Sequence, residues 1–200
     1  MTILTALPDL VPADIGTAKD ELADVYVDYT KTVSPDNMAV SLLTATYLLF
    51  LCRTLKARHV ADFGSGFTSY VLARYAAETD GPVTVTSVDD DREWLERTGT
   101  FLDRYGLRTN LTMWDDWQDT KIRHDVGCYD LSRGDIRDAG MEQVARRTRP
   151  RGVVVLDDAH HEGHRETMRK VSKRLRWDLY GLQDYTTDHH HRFAALLVRP

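Results

Sequence analysis

The sequence predicts an α/β domain in which helices cover both faces of a mostly parallel β-sheet. Three features favour this fold class. Short β-branched or fully apolar segments alternate with longer amphipathic ones, a glycine turn joins the first of these pairs, and no repeat or low-complexity linker breaks the alternation. Strands that alternate with helices need right-handed crossovers, which make neighbouring strands parallel. A chain of 200 residues can bury a substantial core as one domain.

Residues 1–56 are predicted to form a helical lead-in to an α/β core of residues 57–200 within this single domain. A first helix is expected over Asp14–Tyr29, where apolar residues recur at helical spacing. A second is expected to begin after Ser34, a suitable N-cap that is followed by proline and aspartate. This helix should run to about Lys56 and be largely buried, because it is apolar on most of its surface.

Residues 57–200 are predicted to alternate strands with helices. The predicted strands are His59–Phe63, Pro82–Val88, Asn110–Trp114, Asp125–Tyr129, Gly152–Leu156, Trp177–Leu182 and Phe193–Val198. The predicted helices are Phe67–Ala77, Arg92–Tyr105, Asp138–Arg147 and Glu162–Arg176. A short polar stretch joins the last two strands, so we expect them to form an antiparallel hairpin at an edge of the sheet.

Composition narrows the classes of partner. The net charge of −5 argues against nucleic acid as the main partner, and the basic cluster between Arg146 and Arg176 is interpreted as solvated helix faces. No apolar run is long enough to span a bilayer and no secretory signal pattern is found, so a cytoplasmic location without membrane association is expected. Cys52 and Cys128 are expected to be buried thiols in a reducing compartment.

The glycine turn after the first strand predicts a ligand site. In the segment DFGSG, Gly64 and Gly66 allow the backbone to approach a ligand closely, and Ser65 between them is a further predicted contact. The following helix directs its first amide groups at the same ligand. A dinucleotide fingerprint would need a third glycine where Ser69 stands. Asp62, two residues before Gly64, would repel a diphosphate and attract a cation. The ligand that fits is S-adenosylmethionine, although a tight turn without a ligand remains an alternative.

Further acids follow the next two strands, and the carboxyl ends of strands are where such sheets bind ligands. Asp89 is expected to accept hydrogen bonds from ribose hydroxyls, with Asp90 beside it. Asp90 and Asp91 could equally begin the next helix as capping acids. After the third strand, Asp115 or Asp116 could accept from the adenine amino group, with Trp114 or Trp117 against the ring. Core packing explains these two tryptophans equally well.

Residues 57–199 resemble the class I S-adenosylmethionine-dependent methyltransferases. The resemblance rests on four segments: VADFGSG, VTSVDDD, HDVGCYD and RPRGVVVLDD, the last with Arg151 where the family often has glycine. It implies a Rossmann-like, doubly wound sheet of seven strands with an antiparallel last strand. It also implies in-line attack of an acceptor on the sulfonium methyl group.

The acids after the fourth and fifth strands resemble those of small-molecule O-methyltransferases related to catechol O-methyltransferase. These relatives hold a divalent cation through an acid after strand four and an acidic pair after strand five. The matching residues are Asp130, Asp157 and Asp158, which implies a site for Mg²⁺ or another divalent cation. A purely structural role for the acidic pair, without an ion, remains the alternative. The chain departs from these relatives at Arg133, which stands near the position of their lysine base and is itself a poor base.

The segment DDAHHEGH after the fifth strand supplies candidate bases. His160 or His161 could take a proton from an acceptor oxygen or nitrogen, with His160 favoured and Asp130 as a further catalytic candidate. If the segment were helical, His160 and His164 would share one face and could hold a transition metal. Ordinary polar residues at the start of a helix are the alternative. A histidine triplet at 189–191 lies in the predicted hairpin turn.

The sequence therefore predicts a methyltransferase that transfers a methyl group to a hydroxyl oxygen of a small molecule, and not to a nucleic acid. Two alternatives stay open: a cofactor-binding partner subunit without turnover, and a nucleotide-dependent oxidoreductase on a similar sheet. The apolar segment Met38–Leu51 could belong to the core or to the interface of a homodimer.

Overall fold

The computed structural model describes residues 12–131 and 134–200, with side chains for residues 15–131 and 136–200. These residues form seven strands and eight helices. The strands are β1 His59–Phe63, β2 Thr84–Asp89, β3 Asn110–Met113, β4 His124–Tyr129, β5 Thr148–Leu156, β6 Asp178–Gly181 and β7 Ala195–Val198. The helices are α1 Pro12–Thr32, α2 Leu42–Leu55, α3 Phe67–Glu78, α4 Arg92–Arg104, α5 Trp114–Gln118, α6 Gly134–Arg146, α7 Glu162–Leu175 and α8 Gln183–Thr186.

The strands form one sheet in the order β3-β2-β1-β4-β5-β7-β6. β1 to β5 pair in parallel, and β7 runs antiparallel to both β5 and β6. This confirms the predicted seven-stranded, mostly parallel sheet with an antiparallel last strand, and it confirms the hairpin at the edge. The strand order reverses between β1 and β4, which is where such sheets bind ligands.

Helices cover both faces of the sheet because its central strands are apolar on both sides. In β5, Val153 and Val155 belong to one buried cluster with α1, α2 and α3, whereas Val154 and Leu156 belong to another with α6 and α7. This alternation is the period of two expected of a strand. Within the described part of the chain, no helix is both long and apolar enough to cross a bilayer.

The lead-in shares the core of the sheet instead of standing apart from it. Leu22 and Tyr29 of α1 are buried in the same cluster as Val60 of β1, and the ring of Tyr29 contacts those of Phe67 and Phe101 at centroid distances of 5.4 and 5.0 Å. The single-domain assignment is consistent with this packing but stays a prediction.

The second helix begins later than predicted. It starts at Leu42, because Ser41 and not Ser34 is the N-cap and accepts a hydrogen bond from the Thr44 amide at 3.0 Å. The Pro35 carbonyl accepts from two amides at 2.9 Å and closes a separate turn. The residues of α2 from 44 to 52 are all buried inside the chain, whereas Met38 ahead of the helix is exposed, so most of the segment Met38–Leu51 belongs to the core. A homodimer stays a prediction without that support.

Candidate functional site: a cavity at the strand ends

A cavity of about 510 Å³ opens at the carboxyl ends of the central strands, a volume typical of small-molecule sites. The glycine turn, the strand-end acids and the segment between α1 and α2 all contribute to its walls. The lining includes Tyr29, Ser34, Asn37, Met38, Ala39, Val40, Gly64, Ser65, Gly66, Asp89, Asp91, Trp94, Asp130, Arg137, Asp157, Asp158, His160, His161 and Arg192. The predicted residues Gly64, Ser65, Gly66, Asp89, Asp130, Asp157, Asp158, His160 and His161 therefore lie together.

The glycine turn is shaped by close approach of two strand ends. Gly64 has a φ of +106°, a conformation that residues with a Cβ rarely adopt. A Cβ there would also lie 2.2 Å from the Asp130 carbonyl oxygen. At Gly66, a Cβ would lie 2.8 Å from the hydroxyl of Tyr29. Both glycines thus let the turn fit between its neighbours and leave the amino end of α3 facing the cavity.

Asp62 lies beneath the turn and does not line the cavity. Its side chain is fully buried, and its Oδ2 accepts hydrogen bonds from the hydroxyls of Thr68 and Ser69, each at 2.7 Å. Burial raises the pKa of Asp62 to about 7, and the two hydroxyl donors partly oppose that rise. The first hydroxyls of α3 thus point at this acid from the side of the turn, and its contact with a cationic ligand stays a prediction.

Asp89 ends β2 at the cavity wall, where the ribose contact was predicted. Its Oδ2 accepts from the Ser65 amide at 2.7 Å and the Ser65 hydroxyl at 3.0 Å, and its Oδ1 accepts from the Asp91 amide at 3.0 Å. Burial raises the pKa of Asp89, and these hydrogen bonds oppose that rise. A carboxylate offers about four acceptor positions, so Asp89 can accept from a ligand as well.

Besides Asp62, four predicted cofactor contacts lie outside the cavity lining. Asp90 is half-buried next to the wall, and the neighbouring Asp91 lines the cavity instead while capping α4. Asp115 and Asp116 are exposed in the first turn of α5. Trp117 has no exposed surface. It packs against Phe63 at a centroid distance of 4.7 Å and beneath a guanidinium group, so it serves the core.

Trp94 and Arg137 line the cavity but were not singled out by sequence reasoning. The indole Nε1 of Trp94 donates to the Ser65 carbonyl and so braces the glycine turn. The guanidinium of Arg137, from α6, contacts two strand-end acids: Nη2 lies 2.7 Å from Asp130 Oδ1 and Nη1 lies 3.0 Å from Asp158 Oδ2. An arginine just ahead of the predicted helix was the only available sign, and its partners are 7 and 21 residues away in the sequence.

The acids after β4 and β5 are crowded together and poorly hydrated. Burial and the neighbouring Asp157 carboxylate raise the pKa of Asp130, and Arg137 opposes that rise. Burial and Asp158 raise the pKa of Asp157 to about 6. A neighbouring positive charge therefore stabilises the ionised form of these carboxyl groups, and Arg137 supplies such a charge. A divalent ion shared by Asp130 and Asp158 would have to enter where the guanidinium already bridges them, so the residues present do not fit the implied metal.

The histidines divide between the cavity and its surroundings. His160 and His161 both line the cavity, with ring centroids 4.0 Å apart. Burial lowers the pKa of His160, and its Nδ1 lies 3.6 Å from Asp158 Oδ1. His160 precedes α7, so it cannot share a helical face with His164, whose Nδ1 lies 3.3 Å from Asp138. A metal-capable group at the cavity comprises Asp158, His160 and His161, whose potential ligand atoms lie within 4.8 Å of one another.

One wall of the cavity is fastened by Arg192. Its Nη1 donates to the carbonyls of Asn37 and Ala39, each at 3.0 Å, and its Nη2 donates to the carbonyl of Asp36 at 2.8 Å. His189 and His190 lie 3.3 and 3.5 Å from the Asp36 carboxylate; no residue of the histidine triplet is in the cavity lining.

Arg133, the departure noted at the position of a lysine base, lies outside the described residues.

The sequence matches no protein-family model and no curated protein. Solved structures are similar along almost the whole chain. One is the O-methyltransferase TomG from Streptomyces achromogenes, involved in tomaymycin synthesis and solved with S-adenosylmethionine: identity is 18%, the TM-score is 0.65, and the match covers 92% of this chain and 90% of TomG.

Two more solved structures extend the comparison. An O-methyltransferase from Bacillus cereus, solved with S-adenosylhomocysteine, is 16% identical with a TM-score of 0.67, and the match covers 100% of this chain and 98% of that one. A methyltransferase from Geobacter sulfurreducens is 21% identical with a TM-score of 0.67 and coverages of 95% and 97%. The resemblance to class I methyltransferases is thereby confirmed for the fold.

Proposed function

We propose that this protein is an S-adenosylmethionine-dependent methyltransferase that acts on a small molecule, at a hydroxyl oxygen. The observation that best supports this proposal is the position of the cavity. It lies where the strand order reverses between β1 and β4, with the glycine turn on one side and Asp89 on another. TomG and the Bacillus cereus O-methyltransferase, which share this fold, were solved with the methyl donor or its product.

The residues around the turn fit the adenosyl end of the donor. Gly64 and Gly66 let the turn pack between its neighbours while it lines the cavity, and Asp89 offers further acceptor positions to paired hydroxyls. When bound, the donor supplies an electrophilic methyl group on a sulfonium. Asp130, Asp157 and Asp158 face the same space and favour a cationic centre over an anionic one.

The acceptor hydroxyl needs a base, and His160 is our choice. Its lowered pKa keeps the imidazole neutral near pH 7, when it can accept a proton. Transfer of that methyl group would release neutral S-adenosylhomocysteine and one proton from the acceptor hydroxyl, and His160 would take this proton. His161 is the second candidate, because it lines the same cavity. No step is assigned to a divalent ion, because Arg137 bridges the acids that would hold it.

The size of the cavity and the net charge of −5 support a small acceptor over a nucleic acid. Cys52 and Cys128 are both free and buried, which supports the proposal of a reducing, cytoplasmic location.

Calorimetric titration with S-adenosylhomocysteine tests the proposal, with NAD as the competing ligand. We expect micromolar affinity for S-adenosylhomocysteine and none for NAD. No binding of S-adenosylhomocysteine at millimolar ligand would overturn the proposal, and tighter binding of NAD would favour the oxidoreductase. A screen of hydroxyl compounds for product formation follows. Cofactor binding that survives Asp130→Asn, Asp157→Asn and His160→Gln, with no acceptor turned over, would favour the partner-subunit alternative.

A further inference from the structure

The acids that the family resemblance assigns to a divalent ion enclose a guanidinium in this chain. Arg137 bridges Asp130 and Asp158 through its two terminal nitrogens at 2.7 and 3.0 Å, and its side chain is only 8% exposed. The two carboxylates are themselves largely buried, with side chains 23% exposed. Arg137 is thus an internal cation of the cavity wall and not a surface charge.

We propose that Arg137 permanently occupies the place of the divalent cation, so that this cavity excludes Mg²⁺ and works without it. The part of this proposal that concerns turnover rests on the proposed function, whereas the exclusion of the ion does not.

Charge explains why the ion and the side chain cannot share the site. Arginine stays protonated at all relevant pH values, so a divalent ion between Asp130 and Asp158 would lie within a few ångströms of a fixed positive charge. Mg²⁺ also gives up its water reluctantly and needs near-octahedral oxygen ligands. Asp130 and Asp158 each direct one carboxylate oxygen at Arg137, which leaves fewer oxygens for a metal.

The backbone of α6 holds the guanidinium in this position. The hydroxyl of Tyr129 donates to the carbonyl of Arg137 at 2.7 Å, so the strand that carries Asp130 also fixes the residue that neutralises it. One turn later, a Cβ on Gly140 would lie 2.7 Å from the same hydroxyl and from the ring of Trp114. Gly140 therefore lets α6 approach β4 closely enough for Arg137 to reach both acids.

The presence of Arg137 in place of a divalent ion changes what this wall of the cavity can do chemically. A guanidinium neutralises carboxylates and donates hydrogen bonds, but it cannot coordinate an acceptor oxygen as a Lewis acid and lower its pKa. Proton removal from the acceptor must then come from a side chain, which agrees with a base at His160 on the same wall.

The test compares Mg²⁺ binding by wild type, Arg137→Ala and the matched control Arg146→Ala, by calorimetry and thermal unfolding. Arg146 is on the same helix but 59% exposed, and it pairs with Glu142 outside the cavity. Mg²⁺ is the probe because it prefers oxygen ligands, whereas the group of Asp158, His160 and His161 would favour softer ions. We expect no saturable binding to wild type or Arg146→Ala, and a gain of at least about tenfold in Arg137→Ala that Asp130→Asn removes again.

Two results would overturn the proposal: saturable Mg²⁺ binding to wild type that Asp130→Asn abolishes, or a folded Arg137→Ala that gains no affinity. If Arg137→Ala does not fold, a measurement on the wild-type protein alone tests the proposal. Its dissociation constant for S-adenosylhomocysteine should agree within about twofold between EDTA and excess Mg²⁺, and a tenfold loss in EDTA that Mg²⁺ restores would contradict the exclusion. If S-adenosylhomocysteine does not bind in either buffer, the proposed function fails, and the Mg²⁺ titration of wild type still decides whether the ion is excluded.

Discussion

Gly64 touches the backbone of Asp130 so closely that a Cβ on Gly64 would lie 2.2 Å from the Asp130 carbonyl oxygen. The Asp130 amide in turn donates to the carbonyl of Phe63 at 2.6 Å. The glycine turn and the acid after β4 are therefore one packed unit, and neither can move without displacing the other.

We expect Gly64→Ala to lower the free energy of unfolding by about 2 kcal/mol or more, because it combines strain at a positive φ with a backbone collision. Denaturant unfolding measures the change. The matched control is Gly163→Ala in the first turn of α7, where a Cβ would have no atom within 4 Å. This control should be neutral or slightly stabilising. A Gly64→Ala variant as stable as the control would disprove the close contact.

Asp89→Asn should weaken binding of S-adenosylhomocysteine by about tenfold or more, because a hydrogen bond to a charged acceptor contributes about 1.5–3 kcal/mol. The amide keeps one acceptor oxygen for Ser65, so the turn should survive. Calorimetry measures the affinity, with Asp103→Asn as control. Asp103 is on α4 but exposed, 3.7 Å from Arg108. Equal affinity in both variants would remove Asp89 from the cofactor site.

His160→Gln should reduce turnover by about 100-fold or more while leaving the affinity for S-adenosylhomocysteine unchanged, because a positioned general base contributes at least that factor. His161→Gln should cost less than about fivefold, because His161 is exposed at the mouth of the cavity. Steady-state rates with an acceptor from the hydroxyl screen measure both. The reverse pattern would transfer the role of base to His161.

His124 should make the protein sensitive to acid. It is buried beside Thr148 Oγ1 at 2.9 Å, and burial lowers its pKa from 6.5 to about 3. Between these values the unfolded chain binds a proton that the folded chain does not, so stability falls as pH falls below 6.5. His124 should therefore remove about 2 kcal/mol of stability between pH 7 and pH 5.

Denaturant unfolding of wild type and His124→Gln at both pH values isolates this contribution from those of the carboxyl groups. The variant should lose less stability than wild type on acidification, whereas His191→Gln, at an exposed position, should behave like wild type. Parallel pH profiles for wild type and His124→Gln would show that His124 is not held neutral.

Arg192→Ala should loosen the cavity wall at residues 36–39, because three backbone carbonyls lose a charged donor. Hydrogen exchange should accelerate at the amides of Met38 and Ala39, which bond to the Pro35 carbonyl. Lys173→Ala, at an exposed position on α7, is the control. Unchanged exchange at both amides would mean that the segment holds its shape without Arg192.

The sheet was predictable because its signals are local. His59–Phe63 and the helix that starts at Phe67 follow from a short apolar run, a glycine turn and an amphipathic repeat, and the structure has these boundaries. The start of α2 was not predictable from sequence, because Ser34 and Ser41 both suit an N-cap and only tertiary packing selects Ser41. For Trp117 the sequence leaves ligand contact and core packing open, because its burial depends on Phe63 and α6, which are distant in the sequence.

Arg137 shows the same limit at the site. A carboxylate that follows a strand can be found from sequence, because the carboxyl ends of parallel strands share one edge. A basic side chain that reaches those acids from a crossover helix cannot, because its direction depends on the close packing of Gly140 against Tyr129.

The contacts of Arg192 also set an order of events during protein synthesis. Arg192 stands 156 residues after Asp36, whose carbonyl it binds. The glycine turn, Asp89 and the acids after β4 and β5 all leave the ribosome before it does. A nascent chain therefore exposes every predicted cofactor contact while one wall is still unfastened, and a ligand can stabilise the complete cavity only after residue 192 has emerged.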